Sequence, residues 1–202
     1  MRLHTIDIDV ADADLVGFAT GLTGAGPFLT FDATTPTDGL AHQVSIKSTT
    51  DVSDTTFTIV GTDANGKALT EAVVGPNATT VESTGYFLTI SSVTASITLG
   101  AETIDLGWVG EVTSYIYPID WRSPFANVVS VNVTGTLNFT VQETFANVLA
   151  GEAPFWMDIT ALASKTADTN GASSVGATAV RVILNSYSSA AELQVYTSQP
   201  TN

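Results

Sequence analysis

The chain has 202 residues, with 20 acids against 6 bases, no cysteine and a formal charge of −14. Its bases (Arg2, Lys47, Lys67, Arg122, Lys165 and Arg181) are scattered, so no basic stripe forms to displace counterions from nucleic-acid phosphates or to rest on anionic lipid. The lack of cysteine removes disulfides, thiol catalysis and thiolate metal sites, and no apolar run approaches the ~18 residues of a spanning helix.

Leu3 to Val10 alternates apolar and polar residues and predicts a strand, with Asp7, Asp9, Asp12 and Asp14 close together. Thr20 to Pro27 reads as a glycine-rich loop, Phe28 to Phe31 as a short strand and Thr34 to Gly39 as a turn. Val44 and Ile46 mark the next strand, and Phe57 and Ile59 the one after it. Asp63-Ala-Asn-Gly66 then closes a hairpin. Asp63 can accept from the backbone two residues on, and Gly66 supplies the left-handed conformation the loop needs. Ala68 to Val74 returns and stops at Gly75-Pro76-Asn77. Thr79 to Ser83 and Tyr86 to Leu99 follow, the second so long that it must bend or split. Ile104, Leu106 and Trp108 form one more alternating set.

Tyr115, Tyr117, Trp121 and Phe125 lie in a connector punctuated by proline. Val129, Val131 and Val133 share one face of a strand, Gly135 turns the chain, and Leu137, Phe139 and Val141 share one face of the next. The two read as a half-buried hairpin. Phe145 to Leu149 is a candidate helical turn, Thr160 to Ala177 is loop-like, and Ala179 to Leu184 and Glu192 to Thr197 are the last strands. His42 to Ile46 and Phe57 to Val60 are weakly echoed by Val128 to Val131 and Phe139 to Gln142. The expectation is therefore an all-β protein of antiparallel strands with little helix, made of tandem β-sandwich-like halves. Residues 1–39 would be an N-terminal arm and loops, 40–113 the first domain and 114–202 the second.

Charged residues make up only 13% of the chain, about half the usual share. Thr, Ser, Gly and Ala must therefore cover much of the surface, and such surfaces often meet other protein. The N-terminus has no apolar signal core, so a soluble, non-exported chain is expected. His4 and His42 have no Cys, Glu or second His at ligand spacing and read as surface or edge histidines. Asp7 and Asp9 would share a strand face and could offer hard oxygens to a cation, but the EF-hand glycine and glutamate are missing and the acids read as solvated. The sequons at Asn77, Asn132 and Asn138 read as chance matches in a Thr-rich chain. Gly17 to Gly26 lacks a phosphate loop's Lys-Ser/Thr ending, and no Gly-x-Ser-x-Gly elbow occurs. No catalytic, metal or cofactor-binding residue is predicted. Tyr115, Tyr117, Trp121 and Phe125 are the candidate interface. They could fill a seam between the halves, form a protein contact or stack against sugar.

Residues 55–94 carry a resemblance. A strand, Gly61-Thr-Asp-Ala-Asn-Gly66, a Thr-Glu return strand, Gly75-Pro-Asn77 and then Ser83 to Thr94 resemble a segment common in small virion structural proteins of tailed bacteriophages. The hairpin-like run Gly135 to Val141, then Trp156 and the strand Val180 to Asn185, is similar to the partner region of such proteins. The resemblance implies a capsid decoration (cement) protein, made in the host cytoplasm and bound to the head exterior. The major capsid protein would be its partner, with self-association, as a trimer, also expected. The alternative it admits is a tail or neck component (tube, collar or fibre-associated). A host-surface carbohydrate module is the further alternative. The N-terminal arm could order on the shell, and removal of residues 1–20 is then expected to spare the fold.

Overall fold

Alternation leaves each strand one apolar face to bury, and the chain meets that demand with strands almost throughout. The computed structural model describes residues 2–24, 28, 31–120, 122, 126–188 and 190–199, and the protein is all-β. The first eight strands are β1 (Arg2–Asp9), β2 (Asp14–Leu22), β3 (Ala41–Lys47), β4 (Thr56–Thr62), β5 (Ala68–Val74), β6 (Thr80–Phe87), β7 (Thr89–Ala95) and β8 (Ile104–Thr113). The others are β9 (Tyr117–Pro118), β10 (Val128–Thr134), β11 (Leu137–Thr144), β12 (Met157–Asp158), β13 (Thr169–Ala172), β14 (Ala179–Tyr187) and β15 (Glu192–Gln199). Among the described residues, helix is confined to two 3-10 turns, Val148–Ala150 and Thr160–Leu162. The chain divides into a central unit, residues 11–112, and a terminal unit, residues 1–10 with 113–202.

The central unit closes two sheets over one core. One sheet runs β5-β4-β7; the other runs β6-β3-β8, with β2 beside β8. Val44 and Ile46 of β3, Phe57 and Ile59 of β4, Ile90 and Val93 of β7, and Leu106 and Trp108 of β8 are buried together with Phe18 of β2. The β4–β5 hairpin forms as its turn residues require. Asp63 Oδ1 accepts from Asn65 N at 2.8 Å and Lys67 N at 2.9 Å, and Gly66 sits at φ +76°. The predicted long strand splits at Leu88, so β6 serves one sheet and β7 the other. The corner is tight: a Cβ on Gly61 would lie 1.9 Å from the Thr89 carbonyl oxygen.

The terminal unit also has two sheets. One runs β1-β15-β10-β13; the other joins β12, β11 and β14, with β9 paired to β14. The first buries Ile6, Ile8, Val129, Val131, Leu193 and Val195. The second buries Leu137, Phe139, Val141, Val180, Val182 and Leu184. Leu162, tied to β11 because Ile159 N donates to Val141 O at 2.9 Å, packs against Gly171 of β13 and so links the two sheets.

Several expectations change here. β10 and β11 are not a hairpin: β10 pairs with β15 and β13, and β11 with β14 and β12. The two residues between them carry the chain from one sheet to the other. Residues 1–39 are not a separate arm either. β1 pairs with β15 over eight residues, and β2 places Phe18 in the central core. Removing residues 1–20 would therefore delete two strands. Only the first three residues of the predicted glycine-rich loop, Thr20 to Leu22, are strand, since β2 runs to Leu22; residues 25–27, 29 and 30 lie outside the described set. In each unit the two echoing strands, β3 and β4 or β10 and β11, lie in different sheets.

Candidate interaction surface

The predicted aromatic interface is only partly described. Tyr115 is 46% exposed. Tyr117, in β9, is half-buried opposite Val180. Burial, and then the neighbouring Tyr115, push the Tyr117 hydroxyl pKa up. Trp121 and Phe125 lie outside the described residues. Side-chain bonds fasten the connector at both ends. Val182 N donates to Ser114 Oγ at 3.0 Å. At the far end the buried Gln199 amide accepts from Asp120 N and donates to Asp120 O, both at 2.9 Å.

His42 corrects the surface reading. It is fully buried, with Nδ1 2.8 Å from Val109 O and Nε2 2.9 Å from Asp38 Oδ2. The Asp38 carboxylate also accepts from Ala11 N and Leu40 N. Burial alone would raise the Asp38 pKa. The hydrogen bond and charge of His42, with the two backbone donors, outweigh it and hold the group below its ordinary value. The signal was present in the alternation, because His42, Val44 and Ile46 share one face of β3. His4 lies in β1, and its side chain is outside the described set.

The acids do not converge. Asp7 and Asp9 point outward from β1, Asp12 is exposed, and Asp14 caps Val16 N at 3.0 Å. Among the described residues no three His, Asp or Glu side chains are grouped as a metal would need. A shallow recess is lined by Asp51, Asp54 and Glu102. There the Ser53 hydroxyl and N–H both bond Asp51 and lower its pKa.

The most distinctive surface belongs to two loops that the sequence reading did not single out. β11 ends in the core at Thr144, and the next residue, Phe145, is 47% exposed. Thr178 holds the exit: its N donates to Thr144 O at 2.8 Å and its Oγ1 to Ala146 O at 2.5 Å. Asn147 N donates to Glu152 Oε2 at 2.7 Å, Glu152 N donates to Asn147 O at 3.2 Å, and Asn147 Oδ1 accepts from Ala150 N. This closed turn presents Leu149, 82% exposed. Phe155 follows at 77%, and Met157 of β12, also exposed, pairs with Glu143. Between them Trp156 lies under the Arg181 guanidinium, 4.5 Å from the ring centroid. Arg181 Nε is fixed by Gln142, which also donates to Asp158. The second loop is drawn in by buried Glu143, whose carboxylate accepts both the N–H and the hydroxyl of Ser174 at 2.6 Å. Exposed Val175 follows Ser174, and the Phe145 ring lies against Gly176.

Five large apolar side chains of these two segments, Phe145, Leu149, Phe155, Met157 and Val175, stay exposed and are the candidate contact residues. Residues 145–157 do carry a sequence signal. Phe145, Val148 and Leu149 fit period 3.6 while Phe155 and Met157 fit period two, so no single strand or helix face can bury them all. No family model and no curated protein matches the chain.

Proposed function

We propose that the chain is a non-enzymatic structural protein of a tailed-bacteriophage virion, a decoration protein that binds the outside of the assembled head. The observation that carries the reading is the apolar end of the terminal unit. Its chain segment includes Trp156, one of the residues through which the chain resembles such proteins, and it holds large hydrophobic side chains in water on hydrogen-bonded loops. A contact surface of that kind suits assembly rather than chemistry on a small molecule. The other resembling segment, residues 55–94, spans β4 to β7 and forms the framework of the central unit. A protein that binds only the completed lattice stabilises it by mass action. Weak contacts repeated in an oligomer, with a trimer the favoured form, add avidity. The strong negative charge keeps such an exterior protein off stray nucleic acid.

Quantitative mass spectrometry of purified virions tests the reading. Hundreds of copies at a fixed ratio to the major capsid protein are expected. A few tens or fewer would move the protein to the tail or neck, and absence would remove it from the virion.

A further inference from the structure

We propose that Asn65 is a site of spontaneous covalent modification, its side-chain amide converting to aspartate and isoaspartate through a ring closed with Gly66, and that the fold spares the chain's other Asn-Gly pair, Asn170-Gly171. The step needs only water. The Gly66 nitrogen, having given its proton to base, attacks Asn65 Cγ. A C–N bond forms, and the side-chain nitrogen leaves as ammonia. Water then opens the cyclic imide at either carbonyl, which gives aspartate or isoaspartate at position 65 and a new carboxylate. Glycine favours the attack because it has no Cβ to obstruct the approach and its backbone turns freely. Both Asn-Gly pairs share that chemistry, so the backbone around each decides between them.

Both asparagines are exposed, so access of water does not separate them. Asn65 and Gly66 stand at the tip of the β4–β5 hairpin, where Gly66 has φ +76° and nothing lies within 4 Å of where a Cβ would stand. The Gly66 N–H donates to Asp63 O at 3.0 Å, a turn bond. Opening that bond frees the nitrogen and leaves the β4–β5 ladder in place. Asn170 and Gly171 instead lie within β13. Ser173 N donates to Asn127 O at 2.9 Å, and antiparallel ladders alternate, so Gly171 and its partner Val129 are again a hydrogen-bonded pair. Gly171 also packs on Leu162, whose Cγ would lie 2.8 Å from a Cβ there. Its nitrogen is reached only when β13 leaves the sheet. Opening a loop tip costs less than detaching a packed strand. Modification also changes the hairpin. Asp63 Oδ1 accepts from Asn65 N and Lys67 N. Isoaspartate inserts a methylene into the main chain between those two donors, and either product sets a second carboxylate near Asp63.

Trypsin places the two pairs in separate peptides, Ser48 to Lys67 and Thr166 to Arg181, neither of which contains another asparagine. The test is incubation of the full folded chain in mildly alkaline heavy-oxygen water, followed by digestion in ordinary water and mass spectrometry of both peptides over time. Opening of the imide adds a heavy oxygen, which marks conversion during the incubation. In the folded protein the Asn65 peptide should convert at least about tenfold faster than the Asn170 peptide. In guanidinium chloride, where neither backbone is held, the two rates should agree within about threefold. Asn65→Gln should leave the first peptide unconverted while the second keeps its rate. Equal rates in the folded protein, or a slower Asn65 peptide, would overturn the assignment. An Asn65 peptide that converts only in guanidinium chloride would overturn it too, because the turn bond would then protect the site. A tenfold difference that persists in guanidinium chloride would give the selection to neighbouring sequence and overturn the role of the fold.

Discussion

The two units solve the same folding problem with opposite surfaces. The central unit carries twelve acids and two lysines, a net −10; the terminal unit carries eight acids and four bases, a net −4. Among the described residues the central unit exposes three large hydrophobics, Val16, Val74 and Ile97, and the terminal unit eight. The cores are alike, each a pair of antiparallel sheets with a fully buried phenylalanine near the start of a strand, Phe57 in β4 and Phe139 in β11. The difference therefore lies at the surface. Among the described residues one unit keeps nearly all its large apolar side chains covered, and the other leaves several in solvent.

The largest effects should fall where the units agree. Phe57→Ala and Phe139→Ala each empty a site with no solvent exposure and should each cost about 3–5 kcal/mol, read by denaturant unfolding. A much smaller cost in either unit would break the equivalence of the two cores.

A smaller effect separates the units. Asp38→Asn removes the carboxylate that His42 and two backbone N–H groups bond in the interior, and should cost about 1.5–3 kcal/mol near neutral pH. The folded Asp38 pKa lies below its unfolded value of 3.8. Its contribution is therefore complete above that value and is lost as pH falls through the folded pKa. Urea unfolding of the wild type between about pH 5 and pH 2 should show this loss, and the Asp38→Asn profile should be flatter over the same window.

The smallest stability effect should come from the face that distinguishes the terminal unit. Leu149→Asp alters a side chain that is 82% exposed and should move stability by no more than about 0.5 kcal/mol by the same measurement. A large loss would mean that the loop supports the fold, and the contrast between the two surfaces would weaken.

Much of this architecture was legible in the chain because strand alternation and turn chemistry are local. The β4–β5 hairpin needs only Asp63 and Gly66 between two alternating runs, and the structure closes it with the expected Asp63 bonds. The same pattern placed Val129, Val131, Phe139 and Val141 in the core. It also put His42 on the buried face of β3, where a reading based on ligand spacing missed it. Alternation says which face of a strand is buried but not which strand lies beside it. β10 and β11 would each bury one face whether they paired side by side or stood in opposite sheets, and only tertiary structure sends them to opposite sheets. The pairing of β1 with β15 joins the two ends of the chain, a distance no local pattern spans. Composition determined an acidic, cysteine-free chain, and alternation with turn residues an all-β one. Tertiary structure decided which strands pair, that His42 meets Asp38 in the interior, and that the apolar residues from Phe145 to Met157, having no common period, remain in solvent.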